Sequence, residues 1–354
     1  MACTHGGVNR MHEIDGAYGE GGGQLLRTAV ALAAITGESV RLFNIRAKRA
    51  NPGLAPQHLT AVKSVAALCG ARVEGLEAKS SEIGFYPGPL RGGRFDFDVG
   101  TAGSITLVLQ AVLPAAVACG EPVAMHLRGG TDVRASPPLD YFGHVFLPQL
   151  QRMGGQVSLR LIRRGYYPRG GGEVEVKVAP AGPLRPLCLD TPGALEAVAG
   201  VAHIANLPAH IAARMVRSAT EALPQLPVPD IAEQLVAWPQ AIGRGGAIAL
   251  WARCANTVLG AAAAAERGLP AEQLGSDLGA ALRAEITSGA TLDVHAADQM
   301  LVYVALARGP SRFLARTLSS HAATTMWLLE QFLPVRFAVE KTPTVARVEC
   351  RKTD

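Results

Sequence analysis

One carboxylate set among glycines opens the chemistry of this chain. DGAYGEGGGQLLRTAV, residues 15–30, places Glu20 in a turn of nearly bare backbone just ahead of an apolar run. Such a turn lets N–H groups approach an anion at a helix N-terminus, where the helix dipole also favours negative charge. Glu20 would repel a phosphate unless a divalent cation lay between them, and hard cations prefer oxygen ligands. The alternative is that Glu20 only complements the positive end of its helix. The stretch lacks the lysine and spacing of a P-loop. No G-x-G-x-x-G stands between a strand and a helix with an acid about twenty residues on, so both common nucleotide motifs are excluded.

Further stretches add to a phosphate reading. RLFNIRAKRANPGLAPQH (41–58) sets Arg41, Arg46, Lys48 and Arg49 ahead of a Pro/Gly loop that leads into a helix. The planar fork of arginine suits bidentate contact with phosphate. RRGYYPRGGGEV (163–174) mixes arginine, two tyrosines and three glycines, which fits backbone contact with base stacking and fits an ordinary hairpin equally well. HAADQ (295–299) puts His295 and Asp298 three apart on one helical face, a weak metal signal. His321 follows Ser319 and Ser320, two candidate N-caps, and is one of nine histidines; alone it reads as a capping or core residue.

The elements that hold these residues repeat. When Gly37-Glu38 is set on Gly120-Glu121, a shift of 83, the apolar runs 23–42 and 104–125 coincide, each after a glycine turn. A third copy begins at DQMLVYVALARGPSRFLA (298–315), at a shift of 272. Under these shifts Arg27, Gln110 and Gln299 occupy one equivalent position, and His321, like Gln57 and His58, stands close to the start of its unit's second helix. Polar residues at matched places on apolar helices could converge where pseudo-symmetric units meet, or each could face solvent.

The remaining composition sets bounds. With 354 residues, 49% hydrophobic and 18% charged, the chain is globular, and no run of eighteen uncharged apolar residues occurs. MACTHGGVNR has no apolar leader, so a cytoplasmic protein with no membrane partner is expected. A net charge of +5 permits contact with a few phosphates without a basic coat. Six scattered cysteines show no zinc spacing and read as buried or inert thiols. The Pro/Gly-rich stretch 179–195 marks a boundary, followed by helices at HIAARMVRSATEAL and AEQLGSDLGAALRAEI with the strand GGAIALWARC between them. The expected fold is α/β (α+β), a large domain of three repeated βαβαββ-like units with a smaller inserted α/β domain. Residues 13–185 and 288–340 form the large domain, 186–287 the insert, 1–12 a flexible tail, and 341–354 a C-terminal strand and tail.

GAYGEGGGQLLR, IRAKRANPGLAPQHLTAVK, GTAGSITLVLQ, LRGGTD with the following SPP, RGYYPRGGGEV, ADQ and the SSHAATT helix with LPVRF occur in the order of similar blocks in the RNA 3'-terminal phosphate cyclases, which the chain resembles over most of residues 13–340. The resemblance implies ATP-dependent conversion of an RNA 3'-phosphate to a 2',3'-cyclic phosphate, releasing AMP and pyrophosphate. His321 matches the family nucleophile, and Glu20 matches a carboxylate that binds a divalent metal, Mg or Mn. Arg27 matches a phosphate-gripping catalytic residue, and Asp298 one that orients the nucleophile or the nucleotide. Gln110, Gln299, His295, Tyr166 and Pro168 match positions around the nucleotide. Arg46, Arg49, Gln57 and Gln24 match positions toward the substrate. Arg134, after LRGGTD, has no matching role. Two rival functions remain in view: a non-catalytic relative acting in ribosome assembly, and a different transferase on the same scaffold.

Overall fold

In a computed structural model describing residues 11–353, three units share one topology. The first runs β1 (Met11–Asp15), α1 (Gly23–Thr36), β2 (Ser39–Phe43), α2 (Pro56–Cys69), β3 (Arg72–Glu74) and β4 (Ile83–Tyr86). The second runs β5 (Gly93–Asp98), α3 (Ile105–Ala118) and β6 (Val123–Gly129), and then a second helix interrupted by a π turn at Phe142–Phe146 between α4 (Leu139–Tyr141) and α5 (Leu147–Arg152). It closes with β7 (Val157–Arg163) and β8 (Gly172–Val178). The sheets are ordered β1-β2-β4-β3 and β5-β6-β8-β7, each with one parallel pair followed by two antiparallel pairs.

The insert consists of β9 (Leu195–Ala205), α6 (His210–Glu221), β10 (Asp230–Val236), β11 (Gly245–Cys254), β12 (Val258–Ala264) and α7 (Ala271–Ser288). Its sheet, β10-β9-β11-β12, carries both helices and has its own apolar core. The third unit follows with α8 (Val294–Leu306), β13 (Ser311–Ala315), α9 (Ser320–Phe332), β14 (Val335–Lys341) and β15 (Ala346–Lys352).

Two boundaries differ from the sequence reading. Residues 187–189 run parallel to β13, with Cys188 bridged to Arg312 and Leu187 and Leu189 in the core of the large domain. They supply the third unit's first strand, so the insert interrupts that unit after its first strand rather than preceding it. At the other end, β15 pairs between β13 and β14 and is the middle of the third sheet. The strand expected within 341–354 is thus present but belongs to the large domain, with Ala346, Val348 and Cys350 turned into its core. Met11 and His12 belong to β1; the rest of the expected tail lies outside the described residues.

The first helices form the centre. GQLLRTAVALAAIT is apolar on almost every face, so α1 is stable only when surrounded. It packs on α2, α3 and α9, while α3 packs on α1, α2 and α8. Gly37 ends α1 in the left-handed region at φ 76°, donating its N–H to Ala33 O, and Ser104 caps α3 by accepting from Leu107 N. Among the described residues no helix is long and apolar enough to cross a membrane, and the five described cysteines are free. Of these Cys188 is exposed, unlike buried Cys69, Cys254 and Cys350.

A buried charge cluster joins insert to large domain. Arg164 Nη1 lies 2.9 Å from Asp140 Oδ2, 3.4 Å from Asp132 Oδ2 and 2.9 Å from His203 Nε2 of β9. The guanidinium thus occupies the place a metal ion would take among Asp132, Asp140 and His203. Burial works against the charge of His203, but the two carboxylates hold its pKa above the usual imidazole value. Removing one member of a buried ionic group leaves the others uncompensated, at a cost of about 3–5 kcal/mol. Arg164→Met is therefore expected to lower the unfolding free energy by about that much in denaturant titrations. Arg41→Met, which removes only exposed pairs with Glu13 and Glu82, should leave the denaturation midpoint close to that of the wild type.

Candidate active site

A cleft of about 620 Å³ opens where the three units meet. It gathers eleven of the thirteen site residues expected from sequence: Glu20, Gln24, Arg27, Arg46, Arg49, Gln57, Gln110, His295, Asp298, Gln299 and His321. Tyr166 and Pro168 are not among its lining. Tyr166 is buried at the junction with the insert, its hydroxyl 2.9 Å from His203 Nδ1, and Pro168 lies exposed in the β7–β8 connection. The repeat accounts for the convergence: Arg27, Gln110 and Gln299, one from each first helix, all face the cleft, and Arg27 Nη2 donates to Gln110 Oε1 at 3.2 Å.

Glu20 ties the first unit to the third. Its Oε1 is ion-paired with Arg49; Oε2 accepts from Ser320 Oγ at 3.1 Å and lies 2.7 Å from His321 Nδ1. Burial opposes the charge on Glu20, but the Arg49 hydrogen bond, the His321 ring and Ser320 outweigh it and hold the carboxyl below its usual range. The glycine turn makes this approach geometrically possible. Gly19 sits at φ +58°, where a Cβ would meet Thr324 Oγ1 of α9 at 2.2 Å, and one on Gly23 would meet His58 Nε2 at the same distance. Glu20 is a single carboxylate engaged by arginine rather than a closed cage of ligands. It fits a divalent ion that brings phosphate oxygens of its own, since magnesium is commonly held by one or two carboxylates plus substrate phosphates.

His321 occupies the first turn of α9, whose N-cap Ser319 accepts from Ala322 N. Burial, assisted by Arg27, Arg49 and His295 against the pull of Glu20, holds its pKa below the usual 6.5, so the ring is neutral at pH 7. Nδ1 is the ring nitrogen that faces Glu20, and no hydrogen bond among the described residues engages Nε2. Ser319 Oγ also contacts both oxygens of Asp298, at 2.8 and 2.7 Å, so Asp298 anchors the cap that sets the direction of α9.

The cationic side is built for an anion. Arg27 is only 7% exposed, no acid pairs with it among the described residues, its Nε has no hydrogen-bond partner, and burial brings its pKa down to about 10. An uncompensated buried guanidinium is costly unless a ligand completes it. Arg46 holds φ +56°, a strained setting for a residue other than glycine, and is fixed by donating to Gly53 O at 2.7 Å. Gln57 accepts from Ser104 N at 3.4 Å, and Gln24 donates to Thr325 Oγ1 at 2.9 Å.

Sequence reasoning missed several members. His58 is buried and kept neutral, its pKa pushed down to about 3 by burial and by Arg27 and Arg46, with Nδ1 accepting from Ala55 N. Pro137, Pro138, Tyr141 and Tyr303 form an apolar wall, and Ala262–Ala264 with Glu266 bring the insert to the rim. Arg134, without an assigned role in sequence, pairs there with Glu266 at 3.3 Å. In sequence the wall residues cannot be told from ordinary core.

A neutral histidine, three arginines and a cleft shared by three units of one topology describe a protein that takes a phosphate-bearing ligand. The sequence profile of the family described as RNA 3'-terminal phosphate cyclase matches residues 18–339. An RNA 3'-terminal phosphate cyclase of Nitrosospira multiformis is 62% identical over 341 residues, covering 96% of this chain and 97% of that one. One of Methanopyrus kandleri is 46% identical, covering 96% and 98%, and one of Pyrobaculum neutrophilum 45%, covering 93% and 94%. The chain belongs to the RNA 3'-terminal phosphate cyclase family.

Burial pushes the Asp298 carboxyl up from 3.8 to about 6, even though Ser319 donates to it. A raised folded-state pKa gives a stabilisation that is complete below the unfolded value and is lost as pH rises through about 6. Asp298→Asn does not ionise there, so it should gain on the wild type by about 2–3 kcal/mol between pH 4 and pH 7, read from unfolding midpoints at both values.

Proposed function

We propose that this chain is an ATP-dependent RNA 3'-terminal phosphate cyclase working through a covalent histidine-AMP intermediate. Nε2 of His321 attacks the α-phosphorus of ATP and pyrophosphate leaves, while the Nδ1 proton stays against Glu20 and stabilises the cationic ring of the adduct. An oxygen of the RNA 3'-phosphate then attacks the same phosphorus, and His321 departs as neutral imidazole. The ribose 2'-hydroxyl next attacks the 3'-phosphorus, giving the cyclic phosphate and releasing AMP, a step favoured by its intramolecular geometry. DNA lacks that hydroxyl.

Arg27, Arg46 and Arg49 neutralise charge on the phosphates, and Gln110 and Gln299 hold the nucleotide with His295. Gln24 and Gln57 bind toward the RNA end, while Asp298 acts through Ser319 to orient the nucleophile. A divalent cation, Mg or Mn, would screen the triphosphate when bound, with Glu20 its protein ligand. The observation that carries this reading is the ring of His321, neutral, with Nδ1 at Glu20 and Nε2 unengaged, beside a buried arginine that has no acid. A relative confined to ribosome assembly would need none of these. The cytoplasm, where ATP and RNA ends coexist, is the proposed location.

Incubation with ATP labelled in its α-phosphate, with and without a 3'-phosphorylated oligoribonucleotide, tests the reading. A labelled protein adduct should form without RNA and be consumed when RNA is added, as a 2',3'-cyclic end appears. His321→Ala should abolish both; full adduct formation by that variant would refute the assignment. Glu20→Gln should slow adduct formation about a hundredfold by loosening the ring.

A further inference from the structure

The β7–β8 connection and the loop after β10 lie against each other outside the cleft, and each displays an exposed aromatic ring. Tyr167 is 77% and Trp238 71% exposed, although large aromatic side chains ordinarily bury most of their surface. Arg164 N donates to Gln240 O at 2.9 Å, Arg164 and Ala241 form a bridge, and Ile242 packs over Gly171. A methyl group on Gly243 would touch the Cβ of Arg169 at 3.7 Å, which sets exposed Arg169 beside exposed Arg244. Neither arginine is ion-paired among the described residues. Residues 164–171 and 237–244 contain three arginines, three aromatic residues and no acid.

Packed backbone joins these loops to the wall of the cleft. Gly170 lies against Thr101 O and the Cα of Ala102, and Gly103 against the side chain of Gln57, which lines the cleft. Rings that offer a bare π-face, alternating with unpaired guanidinium groups, are the parts from which non-specific single-stranded nucleic-acid tracks are made. We propose that Tyr167, Trp238, Arg169 and Arg244 bind the single-stranded RNA segment just 5' of the reacting end, the rings stacking on bases and the arginines pairing with phosphates. This rests on the cyclase reading for the identity of the strand, and it gives the insert a share in substrate binding.

The test separates the two. A 5'-fluorescent 12-nucleotide RNA ending in a 3'-hydroxyl cannot react, so its anisotropy reports binding whether or not cyclisation occurs. Tyr167→Ala with Trp238→Ala should weaken its binding at least tenfold, while Tyr167→Phe with Trp238→Phe restores it. Arg169→Ala with Arg244→Ala should lower the slope of log affinity against log salt by about 1.4. Adduct formation from ATP alone, and KM for a 3'-phosphorylated dinucleotide too short to reach the loops, should not change. Wild-type affinity in the double aromatic variant, or an equal loss on the dinucleotide, would overturn the proposal. Absence of cyclic product from every RNA with the binding losses intact would instead count against the cyclase reading alone.

Discussion

A single side chain pair, one oxygen of Glu20 and one ring nitrogen of His321 at 2.7 Å, makes residues some 300 positions apart into one chemical unit. Much of the surrounding architecture serves that approach. Glu20 rides on a turn whose glycines leave no side chain between α1 and α9, and His321 rides on the first turn of a helix capped by Ser319, which Asp298 grips with both oxygens. Were the turn bulkier or the cap absent, the ring would lose both its neighbour and its direction.

The cost of this arrangement is visible in the groups left incomplete. Arg27 is buried without an acid and with Nε unsatisfied, and Arg46 sits at positive φ; Gln299 Oε1, too, has no partner. The other deeply buried arginine near the insert is surrounded instead by acids. Arg164, as buried as Arg27, has Asp132, Asp140, His203 and Gln234 around it. The contrast is between a buried arginine paired with carboxylates and one that faces the cleft with no acid beside it among the described residues.

Sequence carried a large part of this because the chain repeats itself. The shift that superposes Arg27, Gln110 and Gln299 finds the meeting point of three helices, and glycines around Glu20 mark a close approach of backbones. It failed where signals were short or shared with ordinary core. Tyr166 and Tyr167 look alike in sequence, yet one is buried against His203 and the other stands in solvent. Residues 187–189 are too few for a strand to be read from alternation, and their partner Arg312 lies beyond the whole insert. Tyr141 and Tyr303 wall the cleft with side chains any apolar helix might bury.

The placement of that three-residue strand has a consequence for biosynthesis. A ribosome delivers 187–189 long before β13, so the edge it must join is missing while about a hundred residues of insert emerge and find their own core. The insert can fold as it appears, but the third unit cannot close until α9 and β15 have left the tunnel. His321 is therefore put in place last, in a chain that is otherwise nearly finished, and a nascent or truncated product carries Arg27, Arg46 and Arg49 without the ring that completes their cleft.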